Sequence, residues 1–132
     1  MKYLFDTNIC IYIIKQRPET VFRRFEAYKP GDIGISTITY SELLYGVEKS
    51  ASKRRNRVAL EAFTAPLEIL PYDSEAAAAY GSVRASLETR GMIIGGMDLL
   101  IGAHCLSVGL TLVTNNEREF QRIDGLRIEN WV

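Results

Sequence analysis

The sequence has two cysteines, one histidine and no apolar run approaching the roughly 20 residues that would cross a bilayer. Each shortage excludes something. Cys10 and Cys105 lie inside apolar, helix-like runs with no paired spacing, so they are expected to be buried free thiols and not a disulfide. His104 has no neighbour at ligand spacing, which removes the cysteine–histidine metal sites and leaves it as an ordinary helix residue. Net charge is lacking as well. Sixteen basic and 16 acidic residues cancel, so any attraction to nucleic acid has to come from local clustering of charge. No early stretch combines a charged start, a long apolar core and a small-residue cleavage site, so a cytoplasmic location without membrane attachment is expected. Repeats, linkers and low-complexity segments are absent too.

What is present fits one folded unit. A chain of 132 residues suits a single domain, 1–132, that buries roughly two thirds of its unfolded surface and needs no disulfide or structural metal. Met1 to Phe5 reads as a short buried strand, and Asp6-Thr7-Asn8 as the turn into a helix. The run Ile9 to Ile14 (ICIYII) is almost wholly apolar, as for a helix packed on both sides. Pro18 opens a second helix, with Val21, Phe22 and Phe25 at core spacing. Ile33 to Ser36 reads as a second strand, and Thr39 starts a helix to about Lys49. A further helix ends near Ala65, where Pro66 stops it before a third strand, Leu67 to Leu70. Ser74 is the expected N-cap of an alanine-rich helix to about Arg90, closed by Gly91. A helix from about Met97 to Ser107, a fourth strand from Leu110 to Thr114 and a short strand near Leu126 to Ile128 complete the chain. Strands separated by helices predict an α/β fold with a mainly parallel sheet of four to five strands, covered on both faces.

In such sheets ligands bind beyond the carboxyl ends of the strands. Asp6 leaves the first strand, and Glu42 lies one turn into the helix after the second. Asp98 opens a helix after the pair Gly95-Gly96. Thr114-Asn115-Asn116 leaves the fourth strand, with Glu117 and Glu119 in the next turn. Each has a plainer reading. Asp6 and Asp98 suit helix caps, Thr39-Tyr40-Ser41-Glu42 matches a capping box, and the asparagines suit a turn. Taken together they read differently, because they emerge on one side of the inferred sheet. Crowded carboxylates repel, and one of them is driven towards protonation unless a cation is near. Magnesium, which takes one or two carboxylates and keeps several waters, suits so sparse an acidic site.

These residues also carry a resemblance. LFDTNICIYIIK (Leu4 to Lys15), SELLYGVEKS (Ser41 to Ser50) and GGMDLLIGAHCLSVGLTLVTNNEREF (Gly95 to Phe120) resemble, in this order, three segments of the PIN-domain ribonucleases. The likeness is to the VapC toxins of toxin–antitoxin systems and runs nearly end to end. It implies a three-layer α/β/α sandwich and Asp6, Glu42 and Asp98 as the acidic core. Many PIN domains carry a fourth acid where this chain has Asn116, so Glu119, one turn later, becomes the residue expected to complete the site.

The implied reaction is hydrolysis of RNA by metal-activated water, leaving a 5′-phosphate and a 3′-hydroxyl. Asp6 and Asp98 are the expected ligands of magnesium (Mg2+; manganese, Mn2+, is the alternative), with Glu42 holding a water. Thr7, Asn8, Thr114 and Asn115 are expected to orient them. Arg118 and Arg122, with Lys49, Lys53, Arg54 and Arg55 further out, are the expected phosphate contacts, although a solvated helix face accounts for the second group equally well. Similar toxins of enteric bacteria cleave initiator tRNA in the anticodon loop, which makes that RNA the implied substrate. The resemblance further implies a VapB antitoxin bound over apolar faces around Ile11, Ile14, Phe22 and Leu44, and homodimers within a toxin–antitoxin assembly. The contrasting reading is a PIN-like module that binds RNA or a partner without catalysis. Other phosphate chemistries fit poorly. Asn8 stands where aspartyl phosphotransfer enzymes carry a second aspartate, and Met97-Asp98 replaces the lysine and hydroxyl residue of a P-loop.

Overall fold

The computed structural model describes the backbone of residues 1–132 and every side chain except that of Pro30. Five short strands form one sheet: β1 (Tyr3–Phe5), β2 (Ile33–Ser36), β3 (Glu68–Leu70), β4 (Thr111–Val113) and β5 (Arg127–Glu129). Their order is β3-β2-β1-β4-β5, and all four pairings are parallel. Seven helices fill the connections: α1 (Thr7–Lys15), α2 (Glu19–Glu26), α3 (Thr37–Lys49), α4 (Lys53–Thr64), α5 (Ser74–Thr89), α6 (Gly96–Val108) and α7 (Glu117–Phe120).

Alternation along the strands creates two cores. Phe5 and Val113 face one side of the sheet, where they join Ile9, Ile13, Leu43 and Phe63 from α1, α3 and α4. Leu4 and Leu112 face the other side and join Leu87, Leu99, Ile101 and Phe120 from α5, α6 and α7. This is the expected three-layer α/β/α sandwich. Cys10 lies in the first core and Cys105 in the second, both as free buried thiols, so the sheet separates them.

Several local readings need correction. Ser36, not Thr39, caps α3: its hydroxyl accepts from the Ile38 amide at 3.0 Å, and Thr39 is buried inside the helix. The capping-box reading of Glu42 therefore fails, because the box was set three residues too late. Asp73, one residue before Ser74, caps α5 by accepting from the Ala76 amide. The ICIYII run is not packed on both sides, since Ile11 and Ile14 line an open cavity of about 310 Å³ between α1, α3 and α4.

Where β1 and β4 pair, the chain has run outward through β2 and β3 and returned to the opposite side of β1. This is the switch point at which a parallel sheet opens a cleft. The helix after β4 is brought close by a glycine: a Cβ on Gly102 of α6 would lie 2.5 Å from Ile123 Cδ1 and 3.3 Å from the Phe120 ring. Overpacking here opposes the helical gain of about 1 kcal/mol that alanine has over glycine, and at such distances it outweighs that gain. Gly102→Ala is therefore expected to lower the urea midpoint. Gly81→Ala, on an open stretch of α5, is expected to raise it, with a gain in stability of up to about 1 kcal/mol. A rise in both variants would contradict this packing.

Candidate active site

Asp6 stands at the carboxyl end of β1 as the N-cap of α1 and is only 4% exposed. Its Oδ1 accepts from the Ile9 amide at 2.9 Å, and its Oδ2 accepts from the Thr114 hydroxyl at 2.5 Å. The capping reading is therefore true but partial, because half the carboxylate is spent on a residue from another strand. Parallel pairing of Phe5 with Val113 makes this contact, since it sets Asp6 and Thr114 side by side. Burial raises the Asp6 carboxyl above its usual range, and the nearby Glu42 charge adds to the rise. The bonds from Thr114 and Ile9 pull it back.

From Thr114 the network continues across the cleft. Its hydroxyl also accepts from the Asn116 amide at 2.9 Å. The Asn116 side-chain amide then donates to Asp98 Oδ2 at 2.9 Å and to Glu119 Oε2 at 2.6 Å. Glu119 is held a second time by the Gly95 amide at 2.8 Å, ahead of α6. Gly95 is spared a side chain where one would crowd the site: its Cβ would sit 3.7 Å from Glu119 Oε1 and 3.9 Å from Asp98 Oδ2.

Electrostatics divide this pair. Burial and the adjacent Glu119 push Asp98 up to about 7, with a smaller push from Asp6. Glu119 is held below its ordinary value by Asn116, by the Gly95 amide and, more weakly, by Arg122. The two carboxyl groups thus hold one proton between them near neutrality.

Glu42 lies on the opposite side of Asp6. Thr7 Oγ1 donates to Glu42 Oε1 at 2.5 Å, which ties α3 to the start of α1. Among the described residues, no three histidine, cysteine or acidic side chains converge as a ready-made metal cage. Thr114 and Asn116 instead link Asp6 to the Asp98–Glu119 pair, while Glu42, whose charge acts on Asp6, is held separately by Thr7.

The remaining expected residues are placed unevenly. Asn115 turns from the acids and donates to the Tyr12 hydroxyl at 2.9 Å, and Asn8 is exposed. Glu117 faces Asn130. Arg122 donates to the Ile93 carbonyl at 2.9 Å beside the acids, whereas Arg118 projects into solvent. Lys49 sits 5.1 Å from the Tyr45 ring centre, and Lys53, Arg54 and Arg55 form an exposed face of α4. Sequence reasoning did not find Tyr12 as the support of Asn115, nor the Gly95 amide as a partner of Glu119. The glycine pair before Asp98 was the one available signal for the second.

Residues 3–126 match the PIN domain family. The chain is 44% identical over 131 residues to the tRNA(fMet)-specific endonuclease VapC of Shigella flexneri, covering 99% of this chain and 98% of that protein. It is 47% identical over 132 residues to ribonuclease VapC2 of Haemophilus influenzae, covering 100% and 99% of the two chains. Among solved structures it resembles the DNA-bound VapBC of Salmonella typhimurium, with a TM-score of 0.94 and 45% identity over 100% of this chain and 99% of that one. With a family match across almost its whole length and full-length relatives this similar, the chain belongs to the PIN domain family, in its VapC branch.

Proposed function

We propose that this chain is the toxin of a toxin–antitoxin pair, an endoribonuclease whose substrate is initiator tRNA, cut in the anticodon loop with magnesium as cofactor. One observation carries the reading. Asp6, Glu42, Asp98 and Glu119, drawn from four separate elements, surround one cleft at the switch point of the sheet, in a chain nearly half identical to a tRNA(fMet)-specific endonuclease. The relatives' names supply the choice of RNA. The VapBC complexes among the similar structures support a VapB-type antitoxin as partner, and toxin dimers within that assembly are part of the same proposal. The apolar cavity lined by Ile11, Ile14, Leu43 and Leu60 suits a segment of it, with Glu42 at the edge. Phe22 lines a separate, more polar depression with Arg17 and Arg23, and Leu44 packs half-buried on the core. The reaction belongs in the cytoplasm, where the tRNA is, and no helix is long and apolar enough to cross a membrane.

The donor set fits a divalent cation. Hard carboxylate oxygens crowd together, and in the metal-free chain one of them takes up a proton. Asp6 and Asp98 would hold magnesium, or manganese in its place. When bound, such an ion supplies Lewis acidity to the phosphate and to water. The chain's own groups do the rest. Thr114 and the Ile9 amide hold Asp6 in one orientation, and Asn116 does the same for Asp98 and Glu119. Glu42, with Oε1 engaged by Thr7, keeps Oε2 to accept a proton from the attacking water. Water adds to the phosphorus and the O3′ bond breaks, leaving a 5′-phosphate and a 3′-hydroxyl. Arg122 at the rim offers the RNA a cation near the acids, the exposed start of α4 with Lys53, Arg54 and Arg55 offers more phosphate contacts with Lys49 ahead of it, and Arg118 adds one from α7.

Antitoxin-free protein incubated with bacterial tRNA and magnesium is expected to cut at one site, with ends of the stated chemistry, and EDTA is expected to stop it. Asp6→Asn and Asp98→Asn should each slow cleavage by about 100-fold or more while leaving RNA retention on a filter intact. Cleavage that persists in EDTA, or toxicity that survives Asp6→Asn, would sink the metal-nuclease reading and favour RNA binding alone.

Stability should follow the acids. Asp98 has a folded pKa of about 7, above its unfolded value, so its contribution is full below the unfolded pKa and is lost as pH rises through about 7. The metal-free protein should therefore melt at lower temperature at about pH 8 than at about pH 6, and Asp98→Asn should flatten that slope. Magnesium should raise the melting temperature more at the higher pH. His104, held neutral by burial, works in the opposite sense here, so equal pH slopes in the wild type and Asp98→Asn would contradict the assignment.

A further inference from the structure

His104 is a buried polar group that the mechanism above does not use. It lies on α6, six positions after Asp98 and about 9 Å further along the helix axis, and is 1% exposed. Its Nδ1 lies 2.7 Å from the hydroxyl of Ser36, which is fully buried at the end of β2. Ser36 caps α3, the helix that carries Glu42 six positions later. One hydrogen bond thus joins the helix of one acid to the cap of the helix of another.

The bonding pattern has a direction. Ser36 Oγ already accepts from the Ile38 amide, and among the described residues its proton has no acceptor other than His104. If His104 Nδ1 carried a proton and donated, the serine proton would be stranded in the core, so the arrangement in which Ser36 donates and Nδ1 accepts is favoured. Burial holds the imidazole below its ordinary pKa, which keeps it neutral and able to accept, although Asp73 pulls the other way. The ring is also fixed sideways: Tyr72 packs edge-on at 5.0 Å, and the Tyr72 backbone amide bonds Thr37 Oγ1 in the first turn of α3.

We propose that His104 is a positioning residue for RNA hydrolysis, setting through Ser36 where α3 begins relative to α6 and so how Glu42 faces Asp98. The proposal rests on reading the acidic cleft as a nuclease centre. A simple packing role would make a different demand. Leucine replaces the ring's bulk but offers no acceptor, whereas asparagine leaves a void but places an oxygen close to where Nδ1 stood. Packing therefore ranks His104→Leu above His104→Asn, and positioning ranks them in the opposite order.

The test measures kcat and KM of the full-length, antitoxin-free chain on the tRNA cut by the wild type, with magnesium, well below the melting temperature of each variant. His104→Leu and Ser36→Ala should each lower kcat about ten-fold with KM unchanged, since small displacements of reacting groups cost rate and not affinity. The double variant should fall no further than the worse single one, and His104→Asn should keep kcat within about three-fold of the wild type. If His104→Leu does not fold, the contrast between His104→Asn and His104→Ala decides, since both leave a void and only asparagine offers an acceptor to the Ser36 hydroxyl, which also caps α3. Leucine outperforming asparagine, unchanged kcat in Ser36→Ala, or an effect on KM alone would overturn the proposal. A wild type that cuts no RNA would overturn the nuclease reading beneath it, whereas a wild type that cuts while Ser36→Ala keeps pace overturns only the positioning role.

Discussion

A carboxylate buried at the end of the central strand sets the terms for everything around it. Asp6 leaves β1 almost without solvent, so its charge is tolerated only through the hydrogen bonds aimed at it. One donor is local, the Ile9 amide of its own helix. The other, Thr114, exists only because β4 pairs in parallel beside β1. Weakening that pairing would leave the carboxylate half-satisfied, and the first turn of α1 would lose part of its cap. Fold and site therefore depend on the same contact.

Asp98 and Glu119 are held by a shared donor, and Glu119 also by the Gly95 amide. Asn116 is the hinge of the arrangement, with its backbone amide on Thr114 and its side-chain amide shared between Asp98 and Glu119. A fourth carboxylate at this position would add repulsion to a pair that already retains a proton near neutrality. An amide contributes two donors instead, and Glu119 supplies the charge from one turn later. Glu119 thus stands within hydrogen-bond reach of the position where many PIN domains carry a fourth acid.

Neutral net charge is reconciled with an anionic substrate by separation on the surface. The acids gather at the carboxyl ends of β1 and β4. Lys53, Arg54 and Arg55 are exposed at the start of α4, and Arg122 stands at the rim of the acids. Local fields of opposite sign can coexist on a chain whose total is zero, because screening over about 10 Å keeps them apart at ordinary salt. The apolar cavity between α1, α3 and α4 touches the same cleft through Glu42, so a segment lying in it would also meet the acids.

The amino-acid pattern alone determined the alternation of strands and helices, the parallel α/β architecture and which carboxylates stand near the strand ends. Those features are local: apolar periodicity, glycines such as Gly91 and Gly109 at helix ends with positive φ, and carboxylates where strands stop. It misplaced the caps of α3 and α5 by one to three residues, because Ser36, Thr39, Asp73 and Ser74 are all acceptable caps and packing chose between them. It was silent on the Tyr12–Asn115 and His104–Ser36 contacts, which join residues 103 and 68 positions apart. Only the tertiary structure decided that Glu42 bonds Thr7 and not its own helix, that Asn116 bridges two acids, and that a lone histidine ties two acid-bearing helices together. The physical reason is the same in each case. A hydrogen bond between distant segments depends on strand register and helix packing to within a few tenths of an ångström, and neither is written in the neighbours of a residue along the chain.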